Sequence, residues 1–287
     1  MKRPRGSRAK PPKAYENLEF LHSSYARTIR ILAEFLEPLK MFRENHVRHT
    51  VVFFGSARAK PREETARIVR SLKRQLEKNG ESPALTRKLE AALIDLDMSR
   101  YYEDATTLSR LLTTWSKTLK DGEQMVVCCG GGPGIMEAAN RGARLAGGKS
   151  IGLNISLPFE QSSNSFVTPE LSREFHYFFM RKFWFAFPAK ALVVFPGGFG
   201  TMDELMEMLT LIQTKKIKKK IVVVIYGTDY WKNVINFDEM VRRRTVSAVD
   251  LKLFKFCDDP LQAFEYLKSG LTKNLLNWKD PINGDEP

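Results

Sequence analysis

Two glycine-rich segments stand where chemistry could be done: Cys129-Gly-Gly-Gly-Pro-Gly-Ile-Met136 and Pro196-Gly-Gly-Phe-Gly-Thr201. Each follows an apolar run and opens a helix-favouring stretch. Glycine at such a turn lets the backbone come close to a ligand, and the unpaired N–H groups of the helix start attract an anion. The chemistry they suit is phosphate holding. Pro133 fits near the helix start, where its missing donor costs little. Neither segment is a Walker loop, since no Gly-Lys-Ser/Thr follows. The first matches the dinucleotide fingerprint only loosely, because the next strand ends Asn154-Ile155-Ser156 without an acid. Either turn alone also reads as a packing device; two in one sheet argue for a nucleotide monophosphate or similar phosphate ester. Gly55-Ser56, after the apolar run His49–Phe54, supplies a third wall of the same cleft.

Glu204 lies three residues after Thr201, nearly one helical turn on and roughly 4.5 Å up the axis. If Thr201 faces the ligand, Glu204 does too. The competing reading is that Asp203, Glu204 and Glu207 merely complement the positive helix start. Arg181-Lys182 suits phosphate or carboxylate recognition, or else forms a solvated pair beside Glu174. The aromatic cluster from Phe175 to Phe187 suits a core or an oligomer contact better than a base-stacking platform.

Positioning these residues calls for alternating strands and helices. The apolar runs at 49–54, 125–129, 150–155, 175–179, 191–195, 221–226 and near 254–256 predict strands, with helices at 101–119, 133–146, 180–187, 201–213, 229–244 and 259–269 between and after them. Strands apolar throughout, separated by helix-length segments, imply a parallel sheet covered on both faces. The expected fold class is α/β, a doubly wound, mainly parallel Rossmann-like sheet. Residues 1–14 read as a disordered basic tail, 15–47 as an N-terminal helix broken near Pro38, and 48–270 as the nucleotide-binding domain. A charged helical insertion occupies 60–98 with a break at Asn79-Gly80, and 271–287 forms a C-terminal tail.

Composition excludes several classes. The net charge of +13 is concentrated in the first residues and in Lys215–Lys220, five lysines in six positions, so it does not describe one broad binding face. Nucleic acid is therefore not the expected partner, and the lysine run reads as a solvated connection at the amino edge of the sheet. No apolar run approaches a membrane span, and the basic start is not followed by a signal-peptide core. Three cysteines, two of them adjacent, give neither a disulfide framework nor zinc spacing. The expectation is a cytoplasmic protein without membrane partner, metal or cofactor.

Pro196-Gly-Gly-Phe-Gly-Thr-x-x-Glu204, preceded by Arg181-Lys182, resembles the hallmark of the LOG family, phosphoribohydrolases often labelled lysine decarboxylases. Gly130–Asn140 and Leu157-Pro-Phe-Glu-Gln161 resemble its longer bacterial members. The likeness covers residues 48–270 apart from the insertion. Short plant-like members carry His where this chain has Phe179. The resemblance implies hydrolysis of the N-glycosidic bond of a nucleoside 5′-monophosphate, AMP-like or a cytokinin riboside monophosphate, with Glu204 and Arg181 catalytic. The substrate-binding set it implies is Gly55, Ser56, Gly131, Gly132, Gly134, Met136, Glu160, Lys182, Gly197, Gly198, Gly200 and Thr201. It further implies a homodimer or larger homo-oligomer, for which Phe183, Phe187, Met206 and Leu209 offer apolar surface unless they are core. The alternative is a nucleotide or molybdenum-cofactor carrier of the same fold, since fold does not fix function.

Overall fold

The computed structural model describes residues 11–80, 82–158 and 163–275. Among them β1 (His49–Phe54), β2 (Met125–Cys129), β3 (Ser150–Ile155), β4 (Ser172–Phe175), β5 (Ala189–Val194), β6 (Val222–Tyr226) and β7 (Lys255–Cys257) form one sheet. Its order is β4-β3-β2-β1-β5-β6-β7, and every neighbouring pair is parallel. The chain thus steps outward from β1 on one side as far as β4, then returns to β5 and steps outward on the other. The reversal leaves a crevice beyond the carboxyl ends of β1 and β5, where open α/β sheets bind ligands.

Parallel strands need crossovers, and helices supply them. α1 (Leu18–His22) and α2 (Arg27–Glu44) precede β1; α3 (Arg62–Asn79) and α4 (Pro83–Ser116) join β1 to β2. α5 (Ile135–Leu145) follows β2, α6 (Phe178–Ala186) follows β4, and α7 (Phe199–Gln213) follows β5. α8 (Thr228–Val234) and α9 (Phe237–Arg242) lead to β7, and α10 (Pro260–Leu275) closes the described chain. The period of two along a strand divides the core. Val51 and Phe53 point to the layer of α4, α5 and α10, while Val52 and Phe54 point to that of α2, α6 and α7.

The N-terminal helix expected over 15–47 is divided at residues 23–26 into α1 and α2, and four further elements differ from the sequence expectation. β4 ends at Phe175 instead of beginning there, because Phe178 and Phe179 already belong to α6. Polar Ser172-Arg173-Glu174 takes the sheet edge, where Arg173 Nε meets Glu37 Oε1 at 2.7 Å. The expected helix 229–244 is two, because Ile235 is extended and the Asn236 side chain caps α9 by accepting from the Glu239 N–H at 2.8 Å. The expected break at Asn79-Gly80 separates α3 from α4, but α4 runs unbroken through residues 98–101, so the second half of the insertion and the helix after it are one element. Its start is sharp: Ser82 caps, with Pro83 in the first turn. α10 continues to Leu275, past the expected boundary at 270.

Pro38 does not break α2; it lies inside it. Proline removes the N–H that would bond to the carbonyl four residues back. That carbonyl, of Glu34, instead accepts the indole N–H of Trp184 in α6 at 2.9 Å. The Glu34 carboxylate accepts the backbone N–H groups of His176 and Tyr177 at 2.7 and 3.2 Å, immediately before α6. One residue of α2 thereby anchors both ends of the turn that presents Arg181. Glu34→Ala is expected to cost about 1–3 kcal/mol, read as a lower midpoint in urea unfolding; an unchanged midpoint would show that these bonds hold nothing.

Candidate active site

The Pro196–Thr201 turn leaves β5 and becomes the start of α7. Gly198 is the N-cap and no side chain caps the helix, so its leading N–H groups have no side-chain partner. No acid occupies the first turn either, which leaves its partial positive charge available to an anion. A Cβ on Gly198 or Gly200 would meet no neighbouring atom of the described residues within 4 Å. Gly197 is different: a Cβ there would lie 2.2 Å from Thr201 Oγ1. Its carbonyl accepts the Tyr230 hydroxyl at 2.7 Å, which pins the turn to α8.

The turn is sewn to the neighbouring loop. The Phe195 N–H donates to the Phe54 carbonyl and the Ser56 N–H to that of Pro196, at 2.8 and 2.9 Å. The Ile135 N–H, at the start of α5, donates to the Ser56 carbonyl at 3.0 Å. The Gly131 N–H points to Cys129 Sγ at 3.4 Å. Two donors of the first glycine turn are therefore committed to the protein, while among the described residues no hydrogen bond takes up the N–H groups of residues 198–201.

A cavity of about 620 Å³ opens where these loops meet. Of the residues expected at the site, it gathers Gly55, Ser56, Met136, Arg181, Gly197, Gly198, Gly200, Thr201 and Glu204. Gly131, Gly132 and Gly134 do not line it, although Gly130 does. Gly134 instead serves the close approach of β1's loop, with φ +73° and a would-be Cβ 2.2 Å from the Ser56 carbonyl oxygen. Lys182 also stands outside the cavity, between Asp203 Oδ1 at 2.8 Å and Glu207 Oε2 at 2.7 Å on α7. Its charge ties α6 to α7. Glu160 lies outside the described residues. Phe183, Phe187 and Leu209 are half-buried and pack against the core, and Met206 is half-buried too.

Of the three acids on α7, Asp203 and Glu207 engage Lys182 and only Glu204 lines the cavity. Glu204 is 5% exposed. Arg181 Nη2 stands 3.6 Å from its Oε1, too far for a hydrogen bond, and Oε1 has no hydrogen-bond partner among the described residues. Arg181 Nε is likewise buried without one. The guanidinium carbon sits 5.1 Å from the Phe178 ring centre and 5.6 Å from that of Phe185, so two aromatic faces hold the cation in place. Burial pushes the Glu204 carboxyl up to about 7, against the opposing pull of Arg181 and Lys182, with Glu207 and Asp203 reinforcing the rise. Burial also lowers Arg181, opposed by Glu204 and Asp203.

A carboxyl raised in the folded state favours folding at low pH. That contribution is complete below its ordinary value of 4.5 and is lost as pH rises through about 7. Over the same interval the group becomes the carboxylate a base needs. Any reaction that uses Glu204 as a base should show kcat/KM rising with pH to a plateau above about 7. A profile flat from pH 5 to 8 would remove Glu204 from that role.

Several lining residues carried no local signal in the sequence. Met98 comes from α4 inside what read as an insertion, and Tyr230 from α8, while Arg58, Asn154 and Phe199 complete the wall. Behind the first turn, the Asn164 side-chain amide donates to the Gly131 and Gly132 carbonyls and to Asn140 Oδ1, each at 2.9 Å. No spacing rule links Asn164 to a turn more than thirty residues earlier. Among the described residues no group of three or more His, Cys, Asp or Glu could hold a metal ion, and no helix is long and apolar enough to cross a membrane.

A family described as "Possible lysine decarboxylase" matches residues 136–267, a span that includes Arg181 and the Pro196–Glu204 turn. Over 146 residues the chain is 29% identical to the Oryza sativa subsp. japonica protein named "Probable cytokinin riboside 5'-monophosphate phosphoribohydrolase LOG4". That match spans 50% of this chain and 62% of the rice protein, under two thirds of its length. Among solved structures, the chain is similar to TM1055, a structural-genomics target, with TM-score 0.46 and 19% identity over 77% of this chain and 99% of that one. It is also similar to the molybdenum cofactor carrier protein from Chlamydomonas reinhardtii, with TM-score 0.41 and 18% identity over 78% and 99%.

Proposed function

We propose that this chain is a member of the LOG family and hydrolyses the N-glycosidic bond of a nucleoside 5′-monophosphate, AMP or a cytokinin riboside monophosphate, to free base and ribose 5-phosphate. One observation carries the reading. A buried carboxylate with an unpartnered oxygen, Glu204, stands one helical turn above an uncapped helix start in the same cavity. The helix start suits a 5′-phosphate. The ribose then lies toward Glu204, and the base toward the thioethers of Met98 and Met136 and the Phe178 ring.

In this reading Glu204 accepts a proton from water as the water oxygen bonds to C1′. The C1′–N bond breaks and its electron pair leaves with the base, which is protonated from solvent. Positive charge develops on the sugar meanwhile, and a nearby carboxylate stabilises it, as in other glycoside-cleaving sites. A value of about 7 suits a base working near neutral pH. Arg181 steadies the carboxylate and, through its free Nε, a substrate oxygen.

The phosphate grip sets a measurable ratio. AMP and adenosine share the scissile bond and differ only in the anion. The kcat/KM for AMP should exceed that for adenosine by about 100-fold or more, because remote binding energy is spent on orienting the reacting centre. Equal values would detach the glycine turn from the reaction.

A further inference from the structure

The Lys215–Lys220 run does more than connect α7 to β6. Ile217 is half-buried against the core and the run edges a second cavity of about 550 Å³, lined also by Lys252 and Tyr266. Its floor is apolar: Ile212, Val222 and Leu253 contribute. Lys219 turns inward, and its Nζ donates to the Ala186 carbonyl at 2.7 Å and to the Phe187 carbonyl, at the end of α6. Burial pushes this ammonium well down from its usual value, and Lys190 adds like-charge repulsion. Lys215, Lys218, Lys220 and Lys252 form no ion pair with a carboxylate among the described residues. The nearby acid Asp250 is occupied, accepting from Gln213 Nε2 at 2.7 Å and the Ser247 N–H at 2.8 Å.

We propose that this cavity, at the amino edge of the sheet and separate from the Glu204 cleft, is a binding site for a small phosphate-bearing polyanion. The volume falls in the range of small-molecule sites. Uncompensated positive charge in a concavity with low-dielectric walls focuses the field and concentrates anions there. The apolar floor strengthens each ammonium–phosphate contact relative to a flat surface in water. Lysine supplies point charges on long stems, which adapt to several phosphates at once. Among the described residues no carboxylate lines the cavity to repel an anion. Ile212 of α7 lines it and Lys219 bonds to the end of α6, and these two helices also carry Glu204 and Arg181.

The test is calorimetric titration of the full chain with inorganic tripolyphosphate in about 0.15 M KCl, where surface attraction is screened. Ribose 5-phosphate is kept in excess so that the glycine turn is filled. The same titration is run on the double variant Lys218→Ala, Lys220→Ala, whose side chains are exposed and whose loss leaves the core intact. Saturable one-to-one binding that weakens tenfold or more in the variant is the expected result. Two outcomes would overturn the site: no binding at this salt with ribose 5-phosphate present, or equal affinity in the variant. Tighter binding of a single-stranded oligonucleotide than of tripolyphosphate would also overturn it, in favour of a nucleic-acid surface.

Discussion

Glu204→Gln is expected to bind AMP within a few-fold of the wild-type affinity and to release adenine about 100- to 10,000-fold more slowly, the usual contribution of a positioned base. The substitution keeps size and shape. It removes the charge that faces Arg181 and the lone pair that takes the water proton. Glu204 Oε1 has no hydrogen-bond partner among the described residues, only the longer contact to Arg181, so little structure depends on it. The residual rate should also lose its dependence on pH near 7, because the group that titrates there is gone. Calorimetry gives the affinity and chromatography the rate. A variant with full turnover would end the assignment, and one that binds no AMP would move Glu204 from catalysis to binding.

Gly134→Ala is expected to be the most damaging small change in the fold. A side chain there meets φ +73° and, more severely, places Cβ 2.2 Å from the Ser56 carbonyl oxygen and 2.6 Å from the Ala57 carbonyl carbon. Backbone cannot give way as a flexible side chain would. The loop after β1 must move, which breaks the Ile135 to Ser56 bond and shifts the Ser56 to Pro196 bond behind the second turn. The expected cost exceeds about 3 kcal/mol, in the range reserved for strain and overpacking, measured by thermal or urea unfolding. Gly200→Ala serves as the contrast. It meets no neighbouring atom of the described residues, so it should fold normally and lose AMP affinity. If Gly134→Ala were as stable as wild type, the seam between the two turns would not be what holds the cleft.

Much of this cleft was legible from local pattern, and the reason is physical. Continuous apolar runs and glycine at strand-to-helix turns are short-range signals, so β1, β2, β3 and the Thr201–Glu204 face were readable in a window of a few residues. The choice among Asp203, Glu204 and Glu207 was not. It rests on Lys182, from another helix, which takes up two of the three. Pro38 misled for a related reason: a proline ends a helix only when the freed carbonyl lacks another donor, and Trp184 lies 146 positions further along the chain. Lys182 enters the substrate-binding set through the family resemblance, whereas its ammonium is taken up by two carboxylates on α7. Met98 and Tyr230 reach the cavity through tertiary packing alone. The unequal duties of the two glycine turns had the same origin, since only the contact with Ser56 shows that the first is a buttress.

The central claim is that this cavity breaks a nucleotide's glycosidic bond, and the most direct measurement is the fate of AMP. Purified protein incubated with AMP near pH 8, where the Glu204 carboxylate is mostly formed, should yield adenine and ribose 5-phosphate in equal amounts by chromatography. AMP that binds saturably and is recovered intact would contradict it and leave a nucleotide carrier in its place.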